Sequence, residues 1–386
     1  MYKHARPTIP RADQNKMMTP SALQISASRQ RTLRAAFRIG ALGLIYWIAA
    51  SAVLDSFMEH WSLGDKWRKS RFNRAIHYTA PRPFVYRVLT PWLINAIVQG
   101  APEPAQRWLA SRTPDLRKQY GLRQGNDVEY AVAYYLVFAA YLGTLAVWRA
   151  SLRFLGRGSP VFWDLAPPVA LLLLPMSFMQ GGFLYDASEL FLTSLAFHFF
   201  LQRSWLLYYV TFFFAVVNKE SNILLPVWFL APFTVNRDWK SLFRHGALSV
   251  LVGAPPFLAI RWWFRTSKGN PLEVLWKDNL RYLADLRHYW EGFDVYAAHV
   301  PAPEGFHPLN LFLLAAILIL VWRRPYLREI RLAFLYTVLA FLPFFLLFGY
   351  KNEIRVFAPS FTALMLLGTQ ALREAANGPD AESTPS

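Results

Sequence analysis

The chain of 386 residues has no cysteine, which removes disulfides, metal-thiolate centres and thiol nucleophiles from its chemistry at once. Charge is scarce too. Charged residues make up 17% of the sequence, against roughly 25% in an average soluble domain. With 54% hydrophobic and 17% aromatic residues, that balance cannot coat a water-soluble globule. Also missing are a Gly-rich phosphate loop, a Gly-x-Ser-x-Gly elbow and a His-Glu-x-x-His zinc motif. The scattered histidines lack metal-ligand spacing, so His198 reads as a satisfied buried imidazole. No internal repeat of the kind left by inverted-repeat transporters is visible.

What the chain does have is apolar runs: 39–54, 131–147, 161–179, 190–201, 205–217, 223–235, 248–260, 309–322, 332–349 and 356–372. With its flanks, each approaches the roughly 20 residues a helix needs to cross the hydrocarbon core. These runs predict an all-α, polytopic transmembrane helical bundle of about ten spans. The net charge of +17 does not indicate a nucleic-acid partner, because Lys and Arg lie between the apolar runs instead of forming one basic face. Anionic and phosphate-bearing lipids are the better partners.

The basic residues also orient the chain. Residues 1–38 carry Lys3, Arg6, Arg11, Lys16, Arg29, Arg31, Arg34 and Arg38 without sustained period, which predicts a mobile cytoplasmic tail. That lead-in is too long for a signal peptide, although Ala50-Ser51-Ala52 resembles a cleavage site. Arg149, Arg153 and Arg157, then Arg203, then Arg237, Lys240 and Arg244, then Arg323, Arg324, Arg328 and Arg331 occupy alternate connections. The positive-inside rule then predicts a multi-pass bacterial inner-membrane protein with both termini cytoplasmic and a bundle over 39–372. Residues 373–386 form a second polar tail. Two long segments, 55–127 and 261–307, fall outside, and interfacial helices are expected in both. The semi-apolar piece 84–98, which contains Pro91, reads as one such amphipathic helix.

Ionisable residues at membrane helices are costly and become functional candidates by default. Asp55 and Glu59, spaced i, i+4 at the outer end of the first run, share a face if the helix continues. Such a pair can activate an acceptor hydroxyl or hold a divalent cation such as magnesium or manganese, or be two solvated residues at a helix end. Asp65 lies among Lys66, Arg68, Lys69 and Arg71, where ion pairing is the simple account. Asp186 and Glu189, spaced i, i+3, project together from the opening of a helix. Asp186 alone is explained as an N-cap, but Glu189 lies one turn deeper. Asn218-Lys219-Glu220-Ser221-Asn222 interrupts an apolar stretch, as a charged turn or as a Lys–Glu pair facing the interior. Arg355, preceded by Glu353, stands at the entrance to the last helix, suited to grip a phosphate with its guanidinium fork or to anchor the interface. Arg82 and Arg87 flank Pro83-Phe84-Val85-Tyr86. With Arg68, Arg71, Arg74 and His77 they make a basic, aromatic surface suited to a pyrophosphate or phosphate headgroup, or to headgroup contact without specificity.

These stretches resemble the GT-C glycosyltransferase superfamily, multi-span enzymes that take sugar from a polyprenyl-phosphate donor at the outer face. Tyr185-Asp186-Ala187-Ser188-Glu189-Leu190-Phe191 is similar to a helix opening in the glycosylphosphatidylinositol mannosyltransferase branch. Phe84-Val85-Tyr86-Arg87-Val88-Leu89-Thr90-Pro91 is similar to the Phe-x-Pro-Leu-x-Pro stretch of that branch. Asn352-Glu353-Ile354-Arg355-Val356-Phe357 is similar to the His-Lys-Glu-x-Arg-Phe motif of other lipid-linked mannosyltransferases. The resemblance implies a polyprenyl-phosphate-linked sugar donor and inverting transfer to an acceptor the sequence does not name. It assigns the catalytic base to Asp55, with Glu59 as fallback, and phosphate stabilisation to Arg355, Arg87 and Arg82. Asp186 and Glu189 would position hydroxyls. The first outer loop contains no Asp-x-Asp, and the short polar tail after Leu372 predicts no soluble substrate domain after the spans. The rival classes are a transporter or flippase of a lipid-linked or anionic substrate, and a non-catalytic envelope-assembly protein.

Overall fold

The computed structural model describes residues 20–65, 71–122, 126–156, 159–174, 182–290, 292–295, 300–303, 305–322, 324–351 and 353–377. The chain divides into two compact units, Met1–Ile45 and Tyr46–Ser386. In the first, residues 20–38, expected as part of a structureless tail, belong instead to helix α1, Pro20–Trp61. Leu33, Phe37, Ile39 and Leu44 are exposed there. The basic residues Lys3, Arg6, Arg11 and Lys16 lie outside the described residues.

In the second unit, α1 buries Tyr46, Ala49, Ala50, Val53, Leu54, Phe57 and Met58, a stripe with the alternating three-and-one spacing of a helix face. Trp47 and Ile48 on the other side are 57% and 58% exposed. A helix apolar on both faces suits an outer face that meets lipid instead of water. Among the described residues, four helical stretches are long and apolar enough to cross a membrane: Ala36–Gly64, Asp127–Leu155, Trp239–Trp263 and Pro325–Phe348. Pro160–Leu172, Trp205–Asn218 and Pro308–Trp322 are apolar but shorter. The ten runs therefore do not all become long helices. The run 223–235 becomes a 3-10 helix, Glu220–Phe229, followed by a seven-residue α-helix, and residues 175–181, the end of the run 161–179 and the start of the connection after it, lie outside the described residues.

The remaining helices are α2 Phe72–Ile76, α3 Leu89–Gly100, α4 Glu103–Tyr120, α5 Asp127–Leu155, α6 Pro160–Leu172, α7 Asp186–Leu201, α8 Trp205–Asn218, α9 Leu230–Asn236, α10 Trp239–Trp263, α11 Trp276–Ala284, α12 Pro308–Trp322, α13 Arg328–Phe348 and α14 Ala358–Asn377. Helix α7 is central, packing against α5, α8 and α14. Trp148 of α5 donates to Ser194 of α7 at 3.0 Å and to Thr362 of α14 at 3.1 Å. In an apolar bundle each buried polar group needs such a partner. His198 follows the same rule, its Nδ1 lying 2.9 Å from the Ser151 hydroxyl. Close approach of α5 to α7 depends on Gly143, where an added Cβ would lie 2.7 Å from the Phe191 ring.

Two expectations about the outer segments change. The helical class holds, but it includes a two-stranded antiparallel ribbon, β1 Gly292–Val295 with β2 Val300–Pro303, in which Gly292 pairs with Pro303. The piece 84–98 is not simply a helix lying on the surface. It is a 3-10 turn, Phe84–Tyr86, leading into α3, whose Ile94 and Thr90 are fully buried. Thr90 donates to Asn218 at 2.7 Å, and the Val88 amide donates to the Val217 carbonyl at 3.2 Å. The first loop is thereby anchored to the end of α8.

Candidate functional site

Helix α8 ends at Asn218, and Lys219 adopts an extended backbone (φ −155°, ψ 126°) before the 3-10 helix Glu220–Phe229 begins. Broken helices are tolerated within an apolar bundle only where other groups take up the freed polar atoms. Here Asn218 donates to the Tyr185 carbonyl at 3.1 Å, tying the break to the opening of α7. The charged interruption is thus a break whose lysine pairs not with Glu220 but with Glu189, at 2.6 Å, and lies 3.9 Å from Asp186.

Asp186 is not an N-cap. Its Oδ2 accepts from the Phe183 amide in the preceding turn at 2.8 Å and forms an ion pair with Arg355. The same guanidinium pairs with Glu353 and lies over the Phe183 ring, 4.2 Å from its centroid. Asp186, Glu189 and Arg355 are 3%, 1% and 5% exposed, so these charges rely on one another and not on water. The guanidinium expected to grip a phosphate thus holds Asp186 and Glu353 on its two Nη groups, while its buried Nε has no acceptor.

From the long segment that follows α1, Arg87 donates to the Tyr185 hydroxyl, lies over the Tyr185 and Phe84 rings, and stands 3.6 Å from Glu220. The cluster so gathers three cations, Arg87, Lys219 and Arg355, with four carboxylates, Asp186, Glu189, Glu220 and Glu353. Asp186 Oδ1, Glu189 Oε1 and Glu220 Oε2 are buried acceptors without a hydrogen-bond donor, and Arg87 Nε and Arg355 Nε are buried donors without an acceptor, Arg87 Nε and Glu220 Oε2 facing each other at 3.6 Å as an ion pair beyond hydrogen-bond reach. Buried polar atoms left this way suit a ligand that brings hydroxyls to the first group and an anion to the second.

A second-loop residue braces the cluster. Asn279 of α11, fully buried, donates to the carbonyls of Phe345, Leu346 and Gly349 at 3.3, 3.0 and 2.8 Å and accepts from the Lys351 amide at 2.8 Å. It holds the end of α13 and the turn that presents Glu353 and Arg355.

The other sequence candidates lie elsewhere. Helix α1 continues to Trp61, so Asp55 and Glu59 do share a face, but not the one turned to the cluster. Phe57 and Trp61 are the α1 residues against Gly182, whose added Cβ would lie 2.5 and 2.7 Å from their rings. Asp55, two residues from Phe57, is turned about 200° from it around the helix. Its Oδ1 accepts from Tyr120 at 2.7 Å and Gln119 at 3.3 Å, both on α4 or its end. Burial, and then the Asp55 hydrogen bond, push the Tyr120 phenol above its usual range, so it remains a donor at neutral pH. Glu59 is exposed. No group of three or more His, Asp or Glu able to hold a metal occurs among the described residues, which leaves a magnesium or manganese ion at Asp55 and Glu59 without a third ligand of those types there. Asp65 is buried and accepts from the Phe72 amide at 3.0 Å and from Tyr130; its neighbours Lys66, Arg68 and Lys69 lie outside the described residues. Arg82 is also separate: its Nη1 donates to the Arg265 carbonyl at 2.9 Å, toward the second loop.

Sequence reasoning missed the partners of Lys219 and Glu220, the Asn279 brace, and Asp164 inside the run 161–179. Asp164 pairs with Arg149 at 2.7 Å. An aspartate in an apolar run was the available signal. For Asn279, one polar residue among many in a long loop, there was none. Comparison with protein-family models, curated proteins and solved structures finds no match to this chain.

Proposed function

We propose that this protein is an integral membrane glycosyltransferase of GT-C type that moves a sugar from a polyprenyl-phosphate donor to an acceptor at the extracytoplasmic face. One observation carries the reading. Three stretches that resemble the superfamily, around Arg87, Asp186 and Arg355, lie far apart in sequence and converge on one buried ionic cluster. Asp186 Oδ1, Glu189 Oε1 and Glu220 Oε2, which accept no hydrogen bond, are suited to sugar hydroxyls, and Arg87 Nε, 3.6 Å from Glu220 and donating to nothing, to the donor phosphate.

In the reaction the bond from the anomeric carbon to the phosphate oxygen breaks, and the lipid phosphate leaves with the electron pair, stabilised by Arg87. The acceptor oxygen bonds to the anomeric carbon from the opposite side and gives up its proton. We assign that proton to Glu220 instead of Asp55, because Glu220 belongs to the cluster and is its most exposed carboxylate at 20%, whereas Asp55 faces α4. The reading includes a multi-pass bacterial inner-membrane chain of about ten spans with both termini cytoplasmic, supported by Arg149 and Arg153 at the end of α5, Lys240 and Arg244 at the start of α10, and Arg328 and Arg331 at the start of α13.

Transfer from radiolabelled polyprenyl-phosphate hexoses in membranes tests it. Glu220→Gln at normal expression is expected to abolish transfer and Asp55→Asn to leave it largely intact; the reverse pattern returns the role to Asp55. A second reading, transport of an anionic or lipid-linked solute, draws on the break at Lys219, since discontinuous helices build transporter sites. It predicts movement of the labelled lipid across the bilayer without a new glycosidic bond.

A further inference from the structure

The end of α10 and the first outer loop hold four cations apart from the ionic cluster. Arg82 reaches the second loop through its own amide, which donates to the Lys268 carbonyl at 2.7 Å, and through Nη1, which donates to the Arg265 carbonyl. The approach is backbone to backbone: Gly269 has φ +91°, and a Cβ there would lie 2.8 Å from the Arg82 carbonyl oxygen. Arg261 lies over the Tyr86 and Phe257 rings, 5.4 and 4.5 Å from their centroids. Arg265 lies over Trp262 at 4.4 Å.

Among the described residues, Arg82, Arg261, Arg265 and Lys268 have no carboxylate partner, unlike every cation of the cluster. The Nε atoms of Arg82 and Arg261 are buried and donate to nothing. Like charges held together without a counter-ion repel, and a buried donor without an acceptor costs free energy. Both penalties fall if an anion sits between the loops. Trp262 and Trp263, 63% and 73% exposed at this helix end, mark the height at which aromatic side chains meet lipid headgroups.

We infer that Arg82, Arg261, Arg265 and Lys268 form a seat for the phosphodiester headgroup of an anionic phospholipid, which clasps the first outer loop to the second. This seat does not rest on the glycosyl-transfer reading and takes a bulk membrane lipid, not a reacting one. Each charge removed is expected to weaken it roughly fivefold.

The test is thermal unfolding of the purified full chain in detergent with added phosphatidylglycerol, phosphatidylcholine or inorganic phosphate, together with the phospholipid retained through purification. Phosphatidylglycerol is expected to raise the melting temperature and phosphatidylcholine and phosphate are not. Arg261→Gln/Arg265→Gln is expected to lose most of that rise and most of the retained anionic lipid, while Arg107→Gln, on the exposed face of α4, keeps both. If the double variant does not fold, Lys268→Glu, at an exposed side chain, is read instead and is expected to show the same loss. Equal effects of the two lipids, an equal effect of phosphate alone, or a full phosphatidylglycerol response in the variants would overturn the seat.

Discussion

Arg355 and Asp186, 169 positions apart in the chain, form an ion pair buried at the junction of α7 and α14. Taking either charge out of water is costly, and leaving one alone is costlier, because the survivor keeps its desolvation penalty without its partner. Arg355→Met is therefore expected to destabilise the protein by about 3–5 kcal/mol. Arg355→Met/Asp186→Leu should lose less than the sum of the two single changes. Chemical unfolding of the four proteins in detergent measures the coupling, and strict additivity would mean that the pair is not the unit described.

Asn279 predicts a different kind of loss. Its amide is the donor for three carbonyls at the end of α13, and no second donor to them is present among the described side-chain bonds. Asn279→Leu keeps the bulk, removes these bonds, and is expected to cost about 1–3 kcal/mol. Hydrogen exchange should rise first at Lys351 and the neighbouring turn; faster exchange spread evenly over α13 would contradict a local brace.

Much of this architecture was legible in the sequence, for identifiable reasons. Apolar runs report burial or lipid exposure directly, so α1, α5, α10 and α13 stood out. The i, i+3 spacing of Asp186 and Glu189 was visible because a helix converts spacing into shared direction. Pairings between distant elements were not visible. Nothing local distinguishes Arg82 from Arg87, five residues apart, yet one is turned to the second loop and the other to Tyr185. The pairing of Asp55 with Tyr120 was hidden for the same reason, since a helix position states a face but not what lies opposite it. Length misled at 223–235, where a break at Lys219 converts an apolar run into 3-10 helix.

Gly182 predicts how closely α1 approaches the cluster. A Cβ there would meet the Phe57 and Trp61 rings at 2.5 and 2.7 Å, and Phe57 is 2% exposed with little room to move. Gly182→Ala is expected to destabilise by about 1–3 kcal/mol, and Phe57→Leu in the same chain should recover part of that. No recovery would show that the contact is not what makes glycine necessary.

Tyr120 predicts an alkaline limb. Its phenol is held above the unfolded value of 10.0 by burial and by its bond to Asp55. Above pH 10 the unfolded chain releases this proton while the folded chain keeps it, so the stabilisation is complete below that pH and declines as pH rises beyond it. Tyr120→Phe should flatten the decline between pH 10 and the folded value. An unchanged slope in the unfolding curves would remove Tyr120 as its source.

The position of a polyprenyl phosphate in a cryo-electron-microscopy map of the full chain tests the central claim most directly. The account predicts phosphate density within hydrogen-bond reach of Arg87 and beside Tyr185, with the polyprenyl tail leaving between the helices. Density on the Asp55 face of α1, or at the opposite helix ends beside Arg149 and Arg153, would contradict it.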